Sequence, residues 1–356
     1  MKTHAIIPVF IPHRGCPNDC VFCNQKAITA RTSDVKPQDV RNLIENYLPT
    51  LQNRGLETIE VAFFGGSFTG IPIEEQSAFL AVAGEYKRKG LIHKIHMSTR
   101  PDYIDRNILD NLKRHDADII ELGVQSFDPQ VLEASNRGHS AEDVYRACEL
   151  IKEYGFELGI QLMIGLPEDS MEKCIYSAEE TVKIGPSIAR LYPTIVLNDT
   201  ELFNMYKAGT YKPLTSDEAV SVTKEMYRIL DGAGINIIRV GLKSTDLITD
   251  GGEIQGHTYH PAFRQLVEGE IAREQLEERL LTFLENRQEE RLRALHEKDI
   301  PKMRSFEFIS SGASFSNMVG NARANKIYFA EKYPDIKIRF KANSSLEDGR
   351  YVVVEC

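Results

Sequence analysis

Hydrophobic positions in the first two thirds of the chain form short, nearly continuous runs separated by longer amphipathic stretches. The runs predict seven strands, at His4–Ile11, Thr58–Phe64, Lys94–Ser98, Ile119–Val124, Leu158–Ile164, Ala189–Val196 and Asn236–Val240. Helical periodicity predicts helices between them, at Pro37–Asn53, Ile73–Lys89, Ile104–Arg114, Ala141–Tyr154, Ser170–Ile184 and Ser216–Ala233. Continuous apolar runs are typical of buried parallel strands. The alternation therefore predicts an α/β domain, either a doubly wound sheet or an open (β/α) barrel.

The pattern changes after about residue 242. A polar loop is followed by a heavily charged helix over 268–299 with an apolar stripe. A small β-α-β-β unit then follows, with strands at Ser305–Ser310, Lys337–Lys341 and Tyr351–Glu355 and one helix from Ser314 to Lys332. We therefore predict a barrel-type domain over residues 1–250 and a smaller α+β unit, preceded by a helical linker, over residues 251–356.

Composition narrows the class of protein. The chain has 356 residues, of which 42% are hydrophobic and 27% charged, as in an ordinary folded protein. No apolar run approaches the roughly 18 residues of a membrane span. The early run Ala5–Ile11 is interrupted by Pro8 and has no cleavage site after it, which argues against a signal peptide and predicts a cytoplasmic protein. A net charge of −9 argues against a general nucleic-acid binder but permits a local basic surface.

Three cysteines lie within eight positions, in the pattern C-x3-C-x2-C, directly after the first predicted strand. They are Cys16, Cys20 and Cys23. A structural zinc site needs a fourth ligand, but the nearest histidine, His13, lies on the wrong side of the motif and no second ligand pair follows. A [4Fe–4S] cluster held by three cysteines would leave one iron open to a substrate. The spacing favours that cluster over remote-ligand zinc or a chance grouping. The other cysteines are predicted to be ordinary core or surface residues: Cys148, Cys174 and Cys356.

The cysteine motif, with Phe22 just before its third cysteine, resembles that of the radical S-adenosylmethionine (SAM) superfamily. The resemblance implies a partial (β/α)6-type barrel, a [4Fe–4S] cluster on the three cysteines, and SAM bound through the open iron. It also implies an external one-electron reductant, such as flavodoxin or ferredoxin. The electron would cleave SAM to a 5′-deoxyadenosyl radical, which would abstract a hydrogen atom from the substrate.

Polar or small residues follow five consecutive predicted strands at the end where open α/β sheets and barrels bind ligands. Core packing does not require this arrangement, so it predicts a shared ligand. "GGSFTG" resembles the region that holds the SAM amino group in the superfamily, with Ser67 in place of the usual acidic residue. The resemblance implies SAM contacts from Phe22, Gly65, Gly66, Thr99, Gln125, Arg137 and Gln161, with Arg137 as charge partner of the SAM carboxylate. It assigns no catalytic residue.

Six longer segments resemble one family more closely. They are "GGSFTG", "STRPDYI", "ELGVQS", "NRGHS", "LYPT" and "YKAGTYKPLT", and they resemble the radical SAM domain of the catalytic subunit of Elongator, which modifies wobble uridines in tRNA. "GVQSF" and "IGLP" give a looser resemblance to oxygen-independent coproporphyrinogen oxidase. An acetyltransferase domain follows in the Elongator subunit. Because the residues after the barrel show no pyrophosphate-binding glycine loop of that kind, the resemblance does not extend to acetyl-CoA chemistry.

The predicted C-terminal helix carries an unusual pattern of asparagines. Asn317, Asn321 and Asn325 recur every four residues, and residues 321–341 contain six basic and two acidic side chains. We interpret this segment as a surface that contacts phosphate or RNA. Its candidate residues are Ser314, Asn317, Asn321, Arg323, Asn325 and Lys326. The alternative is a solvated helix whose asparagines pair locally.

Three hypotheses follow from the sequence. The leading one is a radical SAM enzyme that modifies RNA, most simply tRNA. The second is a radical SAM enzyme acting on a small molecule such as a tetrapyrrole precursor, for which the basic C-terminal surface would be irrelevant. The third is a non-enzymatic iron–sulfur protein that binds RNA and cleaves no SAM.

Overall fold

The computed structural model describes residues 3–11, 16, 20–24, 35–51, 54–242, 254–293 and 304–356, without the side chains of 286–293. The chain divides into two compact units, Met1–Pro261 (unit 1) and Ala262–Cys356 (unit 2). The domain boundary predicted at 250/251 lies outside the described residues. No helix in the described part of the chain is long and apolar enough to cross a membrane.

Unit 1 is built on a sheet of parallel strands. Its strands, in chain order, are β1 (His4–Ile11), β2 (Thr58–Gly65), β3 (Lys94–Thr99), β4 (Ile119–Gln125), β5 (Glu157–Ile164), β6 (Ile188–Pro193), β7 (Val196–Leu197), β8 (Asn236–Val240) and β9 (Ile254–Gln255). The main sheet has the order β1-β2-β3-β4-β5-β6-β8, and all its described pairings are parallel. Its strands follow chain order without the reversal of a doubly wound sheet. The predicted partial (β/α) barrel is confirmed.

The helices of unit 1 connect these strands. They are α1 (Pro37–Leu51), α2 (Ile73–Arg88), α3 (Arg106–Arg114), α4 (Pro129–Ala134), α5 (Ala141–Glu153), α6 (Met171–Ile184), α7 (Glu201–Ala208) and α8 (Ser216–Gly232). The six predicted helices are confirmed, and α4 and α7 are additional short helices within connecting segments. The predicted strand Ala189–Val196 is wrong at its end, because β6 stops at Pro193 and β7 pairs separately with β9.

Apolar side chains in the strands form the core of unit 1. In β5, Leu158, Ile160, Leu162 and Ile164 are buried, whereas the alternate residues Gln161 and Met163 are only half-buried. This alternation assigns one face of the strand to the core and leaves the other to polar groups. Helix α5 begins at a capping box in which Ser140 and Asp143 satisfy each other's backbone N–H groups, as the sequence predicts. This capping box fixes the start of α5 and therefore the end of the loop between α4 and α5.

Unit 2 packs helices against a three-stranded sheet. It comprises α9 (Phe263–Arg293), β10 (Arg304–Ser310), α10 (Phe315–Val319), α11 (Ala324–Lys332), β11 (Ile336–Ala342) and β12 (Tyr351–Glu355). The sheet order is β11-β10-β12, with β11 parallel and β12 antiparallel to β10. The single helix predicted over 314–332 is wrong. It breaks at Gly320, and both Ala322 (φ 47°) and Arg323 (φ 66°) adopt left-handed backbone conformations.

Candidate cofactor site

The described part of the cysteine loop forms a tight turn. The backbone N–H of Cys23 donates to the carbonyl oxygen of Cys20 across 2.9 Å. Val21 between them exchanges backbone hydrogen bonds with two connecting segments, donating to Ser135 after α4 and accepting from Leu202 in α7. These bonds hold the turn against the loops that follow β4 and β6. The sequence-predicted cysteines Cys20 (buried) and Cys23 (half-buried) are therefore at the carboxyl end of the sheet.

Arg137 joins the cysteine loop to the sheet. Its Nη1 atom lies 3.1 Å from Sγ of Cys20, and its Nη2 atom donates to the carbonyl oxygen of Gly123 in β4 across 2.6 Å. The side chain is 6% exposed. Its neighbours Asn136 (φ 51°) and Gly138 (φ 71°) adopt left-handed conformations, so the loop turns sharply on both sides of the arginine. A buried cation at this position suits an anionic ligand or a thiolate.

Gly65 allows the ends of β1 and β2 to approach closely. Its φ is 112°, and an added Cβ would lie 2.6 Å from the carbonyl oxygen of Ile11. The backbone N–H of Gly66 donates to that same oxygen across 2.9 Å. No residue with a side chain fits this position without a shift of the backbone. The structure therefore requires glycine at position 65 for a packing reason, independent of its place in the predicted motif.

Hydroxyl groups join the glycine segment to the end of β3. Oγ1 of Thr99 lies 2.8 Å from Oγ of Ser67 and 2.5 Å from Oγ1 of Thr69, and all three residues are buried. Oγ of Ser67 also accepts the backbone N–H of Arg100 across 3.0 Å. Ser67, which stands where the superfamily has an acid, thus organises two strand ends. Thr99, predicted as a SAM contact, has its hydroxyl committed to this group.

Cys16 lies beside these same elements. The thiol is half-buried, and burial raises its pKa. The nearby Cys20 raises the pKa further. The charge of Arg100, a hydrogen bond from the backbone N–H of Ser67 and the charge of Arg137 all lower it. Cys16 is therefore close to Cys20 and to two buried arginines. No group of three or more Cys, His, Asp or Glu side chains within the described ranges converges on a single-ion site.

Gln125 ends β4 in an unusual conformation. Its φ is 69°, and the pairing of β4 with β5 shifts register between Gly123 and Gln125. A Cβ added at Gly123 would lie 3.0 Å from Nε2 of Gln125, 3.6 Å from Nη2 of Arg137 and 3.6 Å from the carbonyl oxygen of Thr99. The absent side chain of Gly123 thus makes room for three predicted residues. The buried Oε1 atom of Gln125 has no hydrogen-bond partner among the described residues.

The two remaining predicted SAM residues are placed differently. Gln161 is half-buried in β5, paired in register with Gly123 on one side and Arg190 on the other. Phe22 is half-buried and packs against an apolar cluster that includes Leu202 and Tyr211. The structure therefore groups four predicted residues around Gly123: Cys20, Thr99, Gln125 and Arg137. Gln161 lies beside this group, paired with Gly123 in the sheet. The ring of Phe22 instead packs against side chains of α7.

The sequence analysis did not identify Arg100 and His139 as site residues, although both lie in the quoted segments. Arg100 forms a two-bond pair with Asp102, with both N···O distances 2.9 Å. His139 donates from Nε2 to the carbonyl oxygen of Val124 across 3.2 Å, and no described residue bonds to its buried Nδ1 atom. Burial, together with the charges of Arg137 and Arg100, lowers the pKa of His139 to about 3, so the ring is neutral.

A charge network, buried except for the exposed His4 at its end, crosses one face of the main sheet, and the sequence analysis did not identify it either. Its members, from β1 to β6, are His4, Glu60, His96, Glu121 and Arg190. Nε of Arg190 lies 2.6 Å from Glu121, and His96 lies between Glu121 and Glu60 at 3.5 and 3.4 Å. Burial raises the pKa of Glu121, but the charge of Arg190 and the neighbouring His96 lower it to about 2. The sequence did contain a signal for this network, because charged residues interrupt the otherwise apolar strand runs.

Asn317, Asn321 and Asn325 of unit 2 do not line one helix face, because the predicted helix breaks at Gly320, whereas the contact with RNA stays a prediction. Asn325 is 2% exposed, and its Nδ2 donates to the carbonyl oxygens of Gly269, Asn317 and Met318. Nδ2 of Asn317 donates to Glu268 across 2.8 Å. Ser314 is buried, and its hydroxyl accepts the backbone N–H of Gly349. Asn321 is half-buried, whereas Arg323 and Lys326 are exposed.

Comparison with known proteins gives two domain matches. The radical SAM superfamily model matches residues 10–180, and a radical SAM C-terminal domain model matches residues 186–273. A tRNA uridine(34) acetyltransferase of Methanocaldococcus infernus is 30% identical over 257 residues, which is 61% of this chain and 48% of that protein. Elongator complex protein 3 of Homo sapiens is 26% identical over 262 residues, 62% of this chain and 48% of that protein. The chain spans about half the length of these relatives.

A solved structure supports the fold. The archaeal Methanocaldococcus infernus Elp3 with an N-terminal deletion superposes with a TM-score of 0.61 at 23% identity, covering 78% of this chain and 64% of that one. Proteins of the matched superfamily are enzymes that bind a [4Fe–4S] cluster and SAM. The partial barrel, the C-x3-C-x2-C motif and the two matches agree, and the chain belongs to the radical SAM superfamily.

Proposed function

We propose that this radical SAM enzyme modifies tRNA in the cytoplasm, with a [4Fe–4S] cluster on Cys16, Cys20 and Cys23 and SAM at the adjoining strand ends. The contact of Arg137 with Cys20 carries the cofactor part of the proposal, because it brings a buried cation to the predicted cluster thiols. The substrate part is supported by relatives whose names specify tRNA uridine 34. The described cysteines form no disulfide with one another, which is compatible with a reducing compartment.

The residues present suit these cofactors. Two buried polar atoms at the strand ends, Nη1 of Arg100 and Oε1 of Gln125, have no hydrogen-bond partner within the described part of the chain. Buried polar atoms usually have a partner, which a bound ligand would supply. Gly65 lets backbone groups approach a ligand where a side chain would collide. A four-iron cluster distributes its cysteines over separate irons, so its ligands need not converge on one ion. The geometry therefore fits a cluster with SAM beside it.

Each protein group has a definable task. Cys16, Cys20 and Cys23 would hold three irons as thiolates. At Cys16, burial raises the pKa of the thiol, and the charges of Arg100 and Arg137 oppose that increase. Arg137 would bind the SAM carboxylate, and Gln125 and Gln161 would supply amide groups to the rest of SAM. When bound and reduced by an external flavodoxin- or ferredoxin-type protein, the cluster supplies the electron that cleaves SAM. Burial of Thr99, Gln125 and Arg137 would exclude water from that site.

Basic side chains of unit 2 are proposed to contact the tRNA backbone. Arg323 and Lys326 are exposed, as are Lys337, Arg339 and Lys341 on the edge strand β11. Asn317 and Asn325 already donate to groups within unit 2. The backbone contact therefore rests on the cations, with Ser314 and the asparagines shaping the segment that presents them. A sequence-independent surface of this kind binds through phosphates.

One anaerobic assay tests this function. The protein is reconstituted with iron and sulfide, reduced with dithionite, and mixed with SAM with or without bulk tRNA, and 5′-deoxyadenosine is quantified by chromatography. We expect wild type and Cys148→Ala to cleave SAM, with tRNA increasing the yield, and Cys20→Ala to lack both iron and activity. Full iron content in Cys20→Ala would contradict the cluster assignment. SAM cleavage with no response to tRNA would favour the small-molecule hypothesis, and cluster binding without cleavage the non-enzymatic one.

A further inference from the structure

The guanidinium of Arg100 is only partly satisfied. Its Nε and Nη2 atoms donate to the two carboxylate oxygens of Asp102, with both distances 2.9 Å. The residue is 3% exposed, and its buried Nη1 atom has no hydrogen-bond partner among the residues that the structure describes. A buried N–H group without a partner is costly, and native proteins rarely leave one. The two-bond pair also fixes the plane of the guanidinium, so the position of Nη1 is set in advance.

Arg100 lies within electrostatic range of the proposed cluster ligands. It follows Thr99, whose carbonyl oxygen would lie 3.6 Å from a Cβ added at Gly123. Nη2 of Arg137 would lie at the same distance from that Cβ, and Nη1 of Arg137 contacts Sγ of Cys20. The backbone of Arg100 is anchored independently, since its N–H donates to Oγ of Ser67. The side chain is thus a buried cation, held by its pair with Asp102, at the same strand ends as the Arg137 contact with the cysteine loop.

We infer that Arg100 sets the reduction potential of the cluster, with Asp102 limiting its effect, an inference that rests on the proposed function. The potential of an iron–sulfur cluster depends on hydrogen bonds to its sulfur atoms and on nearby charge. Reduction adds one negative charge to the cluster, so a buried cation stabilises the reduced state and raises the potential. The Nη1 N–H group is the donor left available for a cluster or cysteine sulfur. Asp102 offsets part of the positive charge.

This role differs from that of an ordinary buried ion pair. If the pair only stabilised the fold, loss of either partner would lower stability and leave the potential unchanged. A potential-setting role requires opposite shifts. Arg100→Gln removes the cation and makes the cluster harder to reduce, whereas Asp102→Asn removes the opposing anion and makes it easier to reduce. Arg100→Lys keeps the charge without the planar pair and should retain most of the wild-type potential.

The test is a redox titration of the reconstituted full-length protein, monitored by electron paramagnetic resonance. We expect Arg100→Gln to lower the equilibrium constant for reduction at least tenfold, about 59 mV for one electron. Asp102→Asn should shift it in the opposite direction. Arg106→Gln is the matched control, because Arg106 forms an exposed pair with Glu153. An unchanged potential in Arg100→Gln, or shifts of the same sign in both variants, would overturn the inference while leaving the proposed function intact. A wild-type protein that takes up no cluster would contradict both.

Discussion

Arg137 and Cys20, 117 positions apart in the chain, are joined by a 3.1 Å contact from guanidinium nitrogen to thiol sulfur. The same guanidinium holds the carbonyl oxygen of Gly123 at the end of β4. One buried side chain therefore ties the cysteine loop to the sheet edge that the sequence predicts as a ligand site. In a radical SAM enzyme, this is the region where cluster and SAM must meet.

The first prediction concerns Arg137. Arg137→Ala should weaken SAM binding by about 1.5–3 kcal/mol, because it removes a charged hydrogen-bond donor from the proposed carboxylate position. Anaerobic equilibrium binding to the reconstituted protein measures this effect. Arg146→Ala is the control, since Arg146 is exposed on α5 and pairs with Asp143. Equal SAM affinity in wild type and Arg137→Ala would remove Arg137 from the site.

The second prediction concerns the close approach of β1 and β2. Gly65→Ala should destabilise the protein by at least about 2 kcal/mol, because the new Cβ would collide with the carbonyl oxygen of Ile11. Gly90→Ala is the matched control. Gly90 also has a positive φ, of 70°, but nothing lies within 4 Å of an added Cβ, so about 1–2 kcal/mol is expected. Urea unfolding measures the free energy of unfolding of both variants. An equal decrease in Gly65→Ala and Gly90→Ala would show that the contact with Ile11 adds no energetic cost.

Much of the fold could be predicted from the sequence because its signals were local. Buried parallel strands are continuous apolar runs, and all seven strands of the main sheet were located from them. The errors arose where tertiary contacts override local pattern. Every-fourth-residue asparagines suggested one helix, but Asn325 instead donates to three backbone carbonyls around the break at Gly320. That arrangement requires a fold-specific neighbour, Gly269, 56 positions away.

The third prediction concerns acid stability. Burial raises the pKa of Glu60, but hydrogen bonds from His4 and His96 outweigh it and lower the pKa from 4.5 to about 2. The folded state therefore binds this proton less readily than the unfolded chain. The stabilisation is fully present above pH 4.5 and is lost as the pH falls toward 2, at up to about 1.4 kcal/mol per unit.

Urea unfolding of Glu60→Gln and wild type between pH 6 and pH 3 tests this linkage. The stability advantage of the wild type should shrink below pH 4.5, because the glutamine variant lacks the titrating carboxyl. Glu74→Gln, at the exposed start of α2, serves as the control for general effects of losing one acid. A stability difference that stays constant over this range would contradict the low pKa of Glu60.

The fourth prediction concerns the basic surface of unit 2. Arg323→Ala combined with Lys326→Ala should weaken binding to all tRNA sequences alike and flatten the salt dependence by about one to two units. Fluorescence anisotropy at several salt concentrations measures both quantities. Arg88→Ala with Lys89→Ala removes the same charge from unit 1 and should have a smaller effect. Wild-type binding with no dependence on salt would contradict a backbone contact.

The candidate site was predictable only in part. Motif spacing located the cysteines, and residues at strand ends located Thr99 and Gln125. The interior network of His4, Glu60, His96, Glu121 and Arg190 was missed, because its members come from five strands and pair only once the sheet forms. The pairing of Arg100 with Asp102 was missed for a different reason. Both residues were in a quoted segment, but only the structure shows that Nη1 of Arg100 is buried with no hydrogen-bond partner in the described ranges.

The central claim, radical SAM chemistry on tRNA, is tested most directly by mass spectrometry of tRNA nucleosides. Total tRNA is compared from cells with the gene, cells lacking it, and deleted cells that carry either the wild-type gene or Cys20→Ala. We predict that one modified nucleoside disappears on deletion, returns with the wild-type gene and stays absent with Cys20→Ala. Identical nucleoside profiles in all four strains would contradict the account.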